Sequence, residues 1–320
     1  MNFYPLQFTP ILKERIWGGS KLKTVLHKMA VSDNIGESWE LSTVANDISI
    51  VTNGAFTGKN LNQLIELYPN EILGDKVHKR FGYQFPLLFK FLDAQLDLSI
   101  QVHPNDILAQ KRHGTFGKTE MWYVLQADDA AKLIVGFEND CTEQEYVNAI
   151  ETNTIPHLLS NKKVQQGDVF FINTGTIHAI GAGTLIAEIQ QTSDITYRIF
   201  DFNRVDNDGK TRELHTELAL EAINYKKTET QVKYSKKVDA SNRLVDCPYF
   251  TTNVIELKNE MQIATTPHSF KVYMCVEGSF SLILNGEQYN YQKGDTFLVP
   301  ALLNCYTFSG IATILEIYIS

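Results

Sequence analysis

Cysteine is scarce and scattered. Cys141, Cys247, Cys275 and Cys305 form no Cys-x-x-Cys pair, so neither a disulfide framework nor a structural zinc knuckle is expected. No apolar run is long enough to span a bilayer. The N-terminal Met1-Asn2-Phe3-Tyr4-Pro5-Leu6-Gln7 lacks the charged-then-apolar pattern of a signal peptide. Positive charge is not in excess either. The formal net charge is -8, which argues against nucleic acid or an anionic membrane surface as a partner. Low-complexity segments are missing too. These absences predict a cytoplasmic protein, in which an anionic small substrate would need a local basic pocket.

The 320 residues are 43% hydrophobic, enough for one large or two medium domains with a sizeable core. Three stretches read as helical. Asn60 to Arg80 starts near an Asn cap, carries Leu61, Leu64, Ile65 and Leu67 at helical spacing, and is broken at Pro69. Thr142 to Ile150 opens with a capping box, Glu145 standing three residues after Thr142. Glu213 to Ile223 carries Leu214, Leu218 and Leu220. The remainder is short apolar and aromatic runs punctuated by Gly, Asn, Asp and Pro, the texture of a mainly β protein. The lysine-rich Lys226 to Asp239 reads as a linker.

Chemistry concentrates around Gln101-Val102-His103-Pro104-Asn105-Asp106. On a strand, positions i and i+2 share a face, so Gln101 and His103 project side by side. Glu120 and His178 lie on later strand-like segments. Two imidazoles, a carboxylate and an amide oxygen suit a borderline divalent ion such as zinc. Each has a plainer reading: Gln101 holding a ligand in place, His103 as an exposed turn histidine, Glu120 pairing with Lys118, His178 satisfied in a β core.

An internal repeat weighs on these alternatives. Gln165-Gln166-Gly167-Asp168-Val169-Phe170 resembles Gln292-Lys293-Gly294-Asp295-Thr296-Phe297. Eleven residues after the Gly stands His178 in the first copy and Cys305 in the second. Extending the match upstream sets Glu120 against Lys271. The second copy therefore builds a similar unit without two of the proposed ligands, and the polar set is not a requirement of folding. Glu188 has a counterpart in Glu316, which favours a structural role over a general base.

The Gly-Asp turn, strand and following His resemble the cupin barrel, a jelly roll. Arg15-Ile16-Trp17-Gly18-Gly19, Gly36-Glu37-Ser38-Trp39-Glu40-Leu41-Ser42, Ile100 to Asp106, Gly117-Lys118-Thr119-Glu120-Met121-Trp122 and Tyr197-Arg198 occur in this order. Together they resemble the type I mannose-6-phosphate isomerases in their short bacterial form, over residues 3 to 205. The resemblance implies two cupin barrels with a small helical embellishment. Residues 1–225 would be the catalytic domain, with its helical segment near 58–82, and 240–320 a degenerate cupin. It also implies an aldose–ketose isomerase acting on a phosphorylated hexose through a cis-enediol(ate). One zinc ion per chain would be held by Gln101, His103, Glu120 and His178.

The same resemblance places the active-site arginine at Arg198, and Ser99 and Lys118 in the substrate pocket. Lys118 would move a proton, if burial or the metal lowered its pKa, or bind phosphate as a point charge. Arg198 would stabilise an enediolate or fork to phosphate, with Asp194 orienting it. Trp17 and Trp39 would line the sugar pocket or belong to the core. Arg15 and Arg204 are weaker phosphate candidates, read as surface residues. Two rival functions share the barrel. A cupin dioxygenase would need a more histidine-rich motif, and a non-catalytic sugar-binding cupin would not need Lys118 and Arg198 beside a full ligand set.

Overall fold

The computed structural model describes residues 2–205 and 209–320. The chain is mainly β, with strands arranged in three large sheets. A seven-stranded sheet runs in the order Gln231–Val232, Val169–Ile172, Glu120–Ala127, Thr184–Gln191, Leu87–Ala94, Ile35–Leu41 and Ile11–Gly19. A five-stranded sheet runs Leu159–Lys163, Lys132–Phe137, His178–Ile180, Ile100–Val102 and Tyr197–Phe200. An eight-stranded sheet holds the C-terminal strands, and takes Leu6–Gln7 from the N-terminus against Thr296–Val299. No sheet closes into a barrel among the described residues.

Alternation of side chains dictates the layering. Along Glu120–Ala127, Trp122 and Val124 face one apolar cluster while Met121, Tyr123 and Leu125 face another. The neighbouring Thr184–Gln191 behaves alike, with Ile186 on the first side and Leu185, Ala187 and Ile189 on the second. The seven-stranded sheet is thus buried on both faces, which is why its strands read as nearly unbroken apolar runs. Its first face meets Leu133, Val135 and Ile180 of the five-stranded sheet. Its second packs against Val272, Met274, Leu315 and Ile317 of the C-terminal sheet, and against Leu61, Leu64, Ile72 and Val77 of the helices.

The helical segment after Asn60 is three short helices, Leu61–Leu67, Pro69–Leu73 and Asp75–Phe81. Asn60 and Gln63 form a reciprocal capping box, and Pro69 opens the second helix, where its missing N–H costs nothing. Thr142 caps Glu143–Glu151 as expected, with Glu145 completing the box. Glu213 to Ile223 narrows to Thr216–Leu220. A helix that the letters did not suggest, Asp106–His113, follows His103 directly, its N-cap Asn105 accepting from the Leu108 amide at 2.9 Å. Pro104-Asn105-Asp106 reads as a turn, yet it is the entry to that helix. The expected linker is also partly structured, because Gln231–Val232 pairs with Val169 and Phe170. Among the described residues no helix is long and apolar enough to cross a membrane.

The repeat is a repeat in three dimensions. The Gly167 amide donates to the Val124 carbonyl, and the Gly294 amide to that of Cys275, each at 2.8 Å. The Asp168 carboxylate accepts from the Gln165 amide at 2.9 Å, and Asp295 from Gln292 at 2.8 Å. Phe170 pairs with Trp122 and Phe297 with Tyr273, so Glu120 and Lys271 occupy equivalent places.

Candidate active site

Three strands of the five-stranded sheet set up one row. His178 pairs with Gln101, and Gln101 with Arg198 on its other side. His103 lies just past the end of Ile100–Val102, and Glu120 starts a strand of the facing sheet. Both histidines and Glu120 are fully buried or nearly so, and their ligand atoms all lie within 4.8 Å of one another. His103 Nε2 is 3.5 Å from Glu120 Oε2, and His178 Nε2 is 3.5 Å from Glu120 Oε1. The Gln101 amide is 3.3 Å from His178 Nε2. All four residues expected at a metal therefore meet in one place.

Each imidazole is held in one tautomer. His103 Nδ1 lies 2.9 Å from the Ile195 carbonyl and His178 Nδ1 2.8 Å from that of Thr176. A carbonyl only accepts, so Nδ1 carries the proton and Nε2 turns a lone pair inward. Burial lowers both imidazole pKa values, that of His178 to about 4, which keeps them neutral and able to ligate. Burial pushes the Glu120 carboxyl the other way, up to about 7, against the pull of Lys118. Neither Glu120 oxygen has a well-angled hydrogen bond, although Lys118 Nζ lies 2.9 Å from Oε2. A buried carboxylate that faces the Lys118 ammonium but makes no hydrogen bond of good angle, beside two inward Nε2 atoms, fits a divalent cation.

Lys118 is itself buried, 3.1 Å from His103 Nε2. Burial would lower its pKa, but Glu120 and Glu188 outweigh burial and raise it. Without a metal ion its ammonium is the cation that balances Glu120. The Lys118–Glu120 pair is thus present, and it is compatible with a place for both residues at a metal site.

A cleft of about 670 Å³ opens beside this cluster, lined among others by Trp17, Ser99, Gln101, Lys118, Glu188 and Arg198. Asp194 lines it as well. The Arg198 guanidinium donates to the Glu213 carbonyl at 2.8 Å, while its Nε has no partner among the described residues. No described contact joins it to Asp194, so the orientation expected from Asp194 is supplied here by the Glu213 main chain. Trp17 is a wall of this cleft and a member of the buried cluster between the sheets. Arg15 is not a free surface residue, since its Nε donates to Glu37 at 2.6 Å. Arg204 likewise pairs with Asp201 and with the Asp97 carbonyl.

Glu188 is fixed by Lys90 at 3.0 Å and by Trp122 Nε1 at 3.0 Å. Burial alone would raise its pKa, but Lys90 and Lys118 bring it down to about 2. Its counterpart Glu316 is similarly saturated, by Lys271, Tyr273, Asn253 and Ser241. Sequence reasoning passed over Lys90 and the role of Glu37. Lys90 Nζ lies 5.1 Å above the Trp39 ring, whose Nε1 donates to Glu37 at 2.6 Å. The signal was a lysine inside an otherwise apolar strand, Leu88-Phe89-Lys90-Phe91-Leu92, a position that burial forbids unless the charge is paired.

The family model for the catalytic domain of type I phosphomannose isomerase matches residues 6–132, and the one for the mannose-6-phosphate isomerase cupin domain matches 240–319. Mannose-6-phosphate isomerase ManA of Bacillus subtilis (strain 168) is 36% identical over 316 residues, 98% of each chain. The chain belongs to the type I phosphomannose isomerases. The Streptococcus mutans mannose-6-phosphate isomerase is 34% identical over 309 residues, 96% of this chain and 95% of that one. The crystal structure of the Bacillus subtilis mannose 6-phosphate isomerase superposes with a TM-score of 0.91 at 33% identity, covering 98% of this chain and 99% of that one. Of the site, Gln101, His103, Lys118 and Glu120 fall within the matched catalytic-domain segment, while His178 and Arg198 lie beyond it.

Proposed function

We propose that the chain is a mannose-6-phosphate isomerase, interconverting mannose 6-phosphate and fructose 6-phosphate with one zinc ion held by Gln101, His103, Glu120 and His178. The observation that carries this is the convergence of two neutral, inward-facing Nε2 atoms on a buried carboxylate, at the end of a cleft lined by Lys118 and Arg198. Two jelly-roll units, residues 1–225 and 240–320, would supply the frame, and the four unpaired thiols suit a cytoplasmic setting.

The reaction moves hydrogen between C1 and C2 of the open-chain sugar, through a cis-enediol(ate). Its hard step removes a carbon-bound proton next to a carbonyl. Bound zinc would supply Lewis-acid polarisation of the sugar oxygens. Lys118, 2.9 Å from Glu120, is placed to share a proton with a substrate oxygen at the same spot. Arg198, with Nε free of partners among the described residues, presents a donor to developing negative charge or to phosphate. Ser99, Asp194 and Trp17 line the sugar cleft. Glu188, already saturated by Lys90 and Trp122, serves better as a fixed negative charge than as a base. A dioxygenase or a non-catalytic sugar-binding protein finds no counterpart among the named relatives.

Metal analysis of purified protein, combined with an assay of mannose 6-phosphate conversion, tests the proposal. Chelation abolishes activity and zinc restores it. Full activity in a metal-free preparation would overturn the metal-dependent reading.

A further inference from the structure

Asp106 carries a carboxylate that the helix it begins does not need, since Asn105 already provides the cap. Three donors from three separate segments meet on it. The Gly117 amide donates to Oδ1 at 2.8 Å, Gln191 Nε2 to Oδ1 at 2.9 Å, and the Tyr249 hydroxyl to Oδ2 at 2.7 Å. Gln191 in turn accepts from the Thr119 amide at 2.9 Å through Oε1. The amides on either side of Lys118 are therefore both fixed, one directly and one through Gln191. The Lys118 amide itself donates to the Pro104 carbonyl at 3.3 Å.

The fit between these segments is close. A Cβ on Gly117 would come within 2.7 Å of the Asn105 and Asp106 main chain, so the loop lies flat on the segment that carries His103. Asp106 follows His103 by three residues, and Gly117 precedes Glu120 by three. One carboxylate thus sets the segments of two candidate ligands, and the lysine between them, relative to each other. Tyr249 is the only one of its donors that comes from the C-terminal sheet region, in the turn joining Ser241–Asp246 to Thr251–Leu257.

We propose that Tyr249, acting through Asp106, is a positioning residue for the reaction: the C-terminal half, which lacks the ligand set, braces the Gly117–Glu120 segment of the N-terminal half. This rests on the placing of Lys118 and Glu120 in the reaction, and gives the second unit a part in catalysis. Removal of an outer partner of a metal site costs about 10–100-fold in affinity or activity. A Tyr249→Phe variant loses only the hydroxyl and falls at the low end, about 10-fold in kcat.

The test is a double-mutant cycle on the full-length zinc-loaded protein, with Tyr249→Phe, Asp106→Asn and the pair, reading kcat, KM, metal content and melting temperature. Tyr249→Phe lowers kcat while KM for mannose 6-phosphate stays within about twofold and the protein remains folded. Asp106→Asn lowers kcat further, and the double variant is no worse than Asp106→Asn, because both act through one contact. Wild-type kcat in Tyr249→Phe, losses that multiply in the double variant, or activity lost only in step with unfolding would each overturn the brace. Lys118→Ala separates the site from its brace. Wild-type activity there removes the reading of the site and the brace with it. An inactive Lys118→Ala beside a fully active Tyr249→Phe removes the brace alone.

Discussion

Lys90 shows what a single buried charge does here. It lies 3.0 Å from Glu188 and 3.8 Å from Glu37, all three being buried. Replacing it by Met leaves Glu188 buried without its nearest cation, while Glu37 keeps Arg15 at 2.6 Å, a loss of about 3–5 kcal/mol of stability at neutral pH. The pH dependence has a definite sign. Glu188 titrates at about 2 in the folded chain, below its ordinary 4.5. A depressed carboxylate contributes stability that is complete above pH 4.5 and lost as pH falls towards 2. Denaturant titrations should therefore show the gap between the parent and Lys90→Met narrowing below pH 4.5; a gap constant down to pH 3 would refute the pairing. Gln101 calls for a separate measurement. Its amide lies 3.3 Å from His178 Nε2, and in the proposed metal site it would serve as a ligand or hold His178. In either role Gln101→Ala weakens metal binding about 10–100-fold, read by competition with a chelator. Unchanged affinity would remove Gln101 from the site.

At the level of elements, the two Gly-Asp turns share a backbone but not surroundings. Gly167 has φ +88° and room beside it, the nearest atom to an added Cβ being the Tyr234 hydroxyl at 3.6 Å. Gly294 has φ +94°, and its Cβ would lie 2.5 Å from the Leu26 carbonyl oxygen. Alanine at either position meets the left-handed penalty of about 1–2 kcal/mol; at Gly294 a main-chain clash is added. Urea denaturation should find Gly294→Ala clearly the more damaging, and equal losses would contradict this difference in packing.

The turns, the strands around them and the capped helix at Thr142 were legible because each is set by neighbours in sequence. Gln101 and His103 were legible from a period of two, and His178 from its replacement by Cys305 in the second copy. Asp106–His113 was not, because the same Asn-Asp letters serve a turn and a helix cap, and its eight residues carry only a weak apolar pattern. Equally hidden was the pairing of Gln231–Val232 with Val169–Phe170. A two-residue strand is specified by the sheet edge that it meets. The Glu213 carbonyl at Arg198 was out of reach for a related reason: a main-chain acceptor has no letter.

Across the whole molecule, one apolar cluster joins what the sequence divides. Leu87, Phe89, Met121 and Ile189 of the N-terminal half pack in it with Phe270, Val272, Leu315 and Ile317 of the C-terminal half. Polar contacts cross the same boundary. Lys28 Nζ donates to Glu40 at 2.7 Å and to the Gly294 carbonyl at 2.6 Å, all of it buried. Leu6–Gln7 has crossed over to pair with Phe297 and Leu298. Halves that share a core and a buried lysine–carbonyl hydrogen bond lose both when either unfolds, so they should unfold as one unit. The tryptophans make this measurable. All three, Trp17, Trp39 and Trp122, lie in the N-terminal half, whereas far-ultraviolet circular dichroism sees strands of both. Guanidinium unfolding followed by tryptophan fluorescence and by circular dichroism should give coincident midpoints. In Lys28→Met, Glu40 is left buried without its cation, and both midpoints should fall together by about 3–5 kcal/mol of stability. Fluorescence and dichroism curves that part company in the parent protein would mean that the shared cluster does not couple the halves, and that the C-terminal half stands or falls alone.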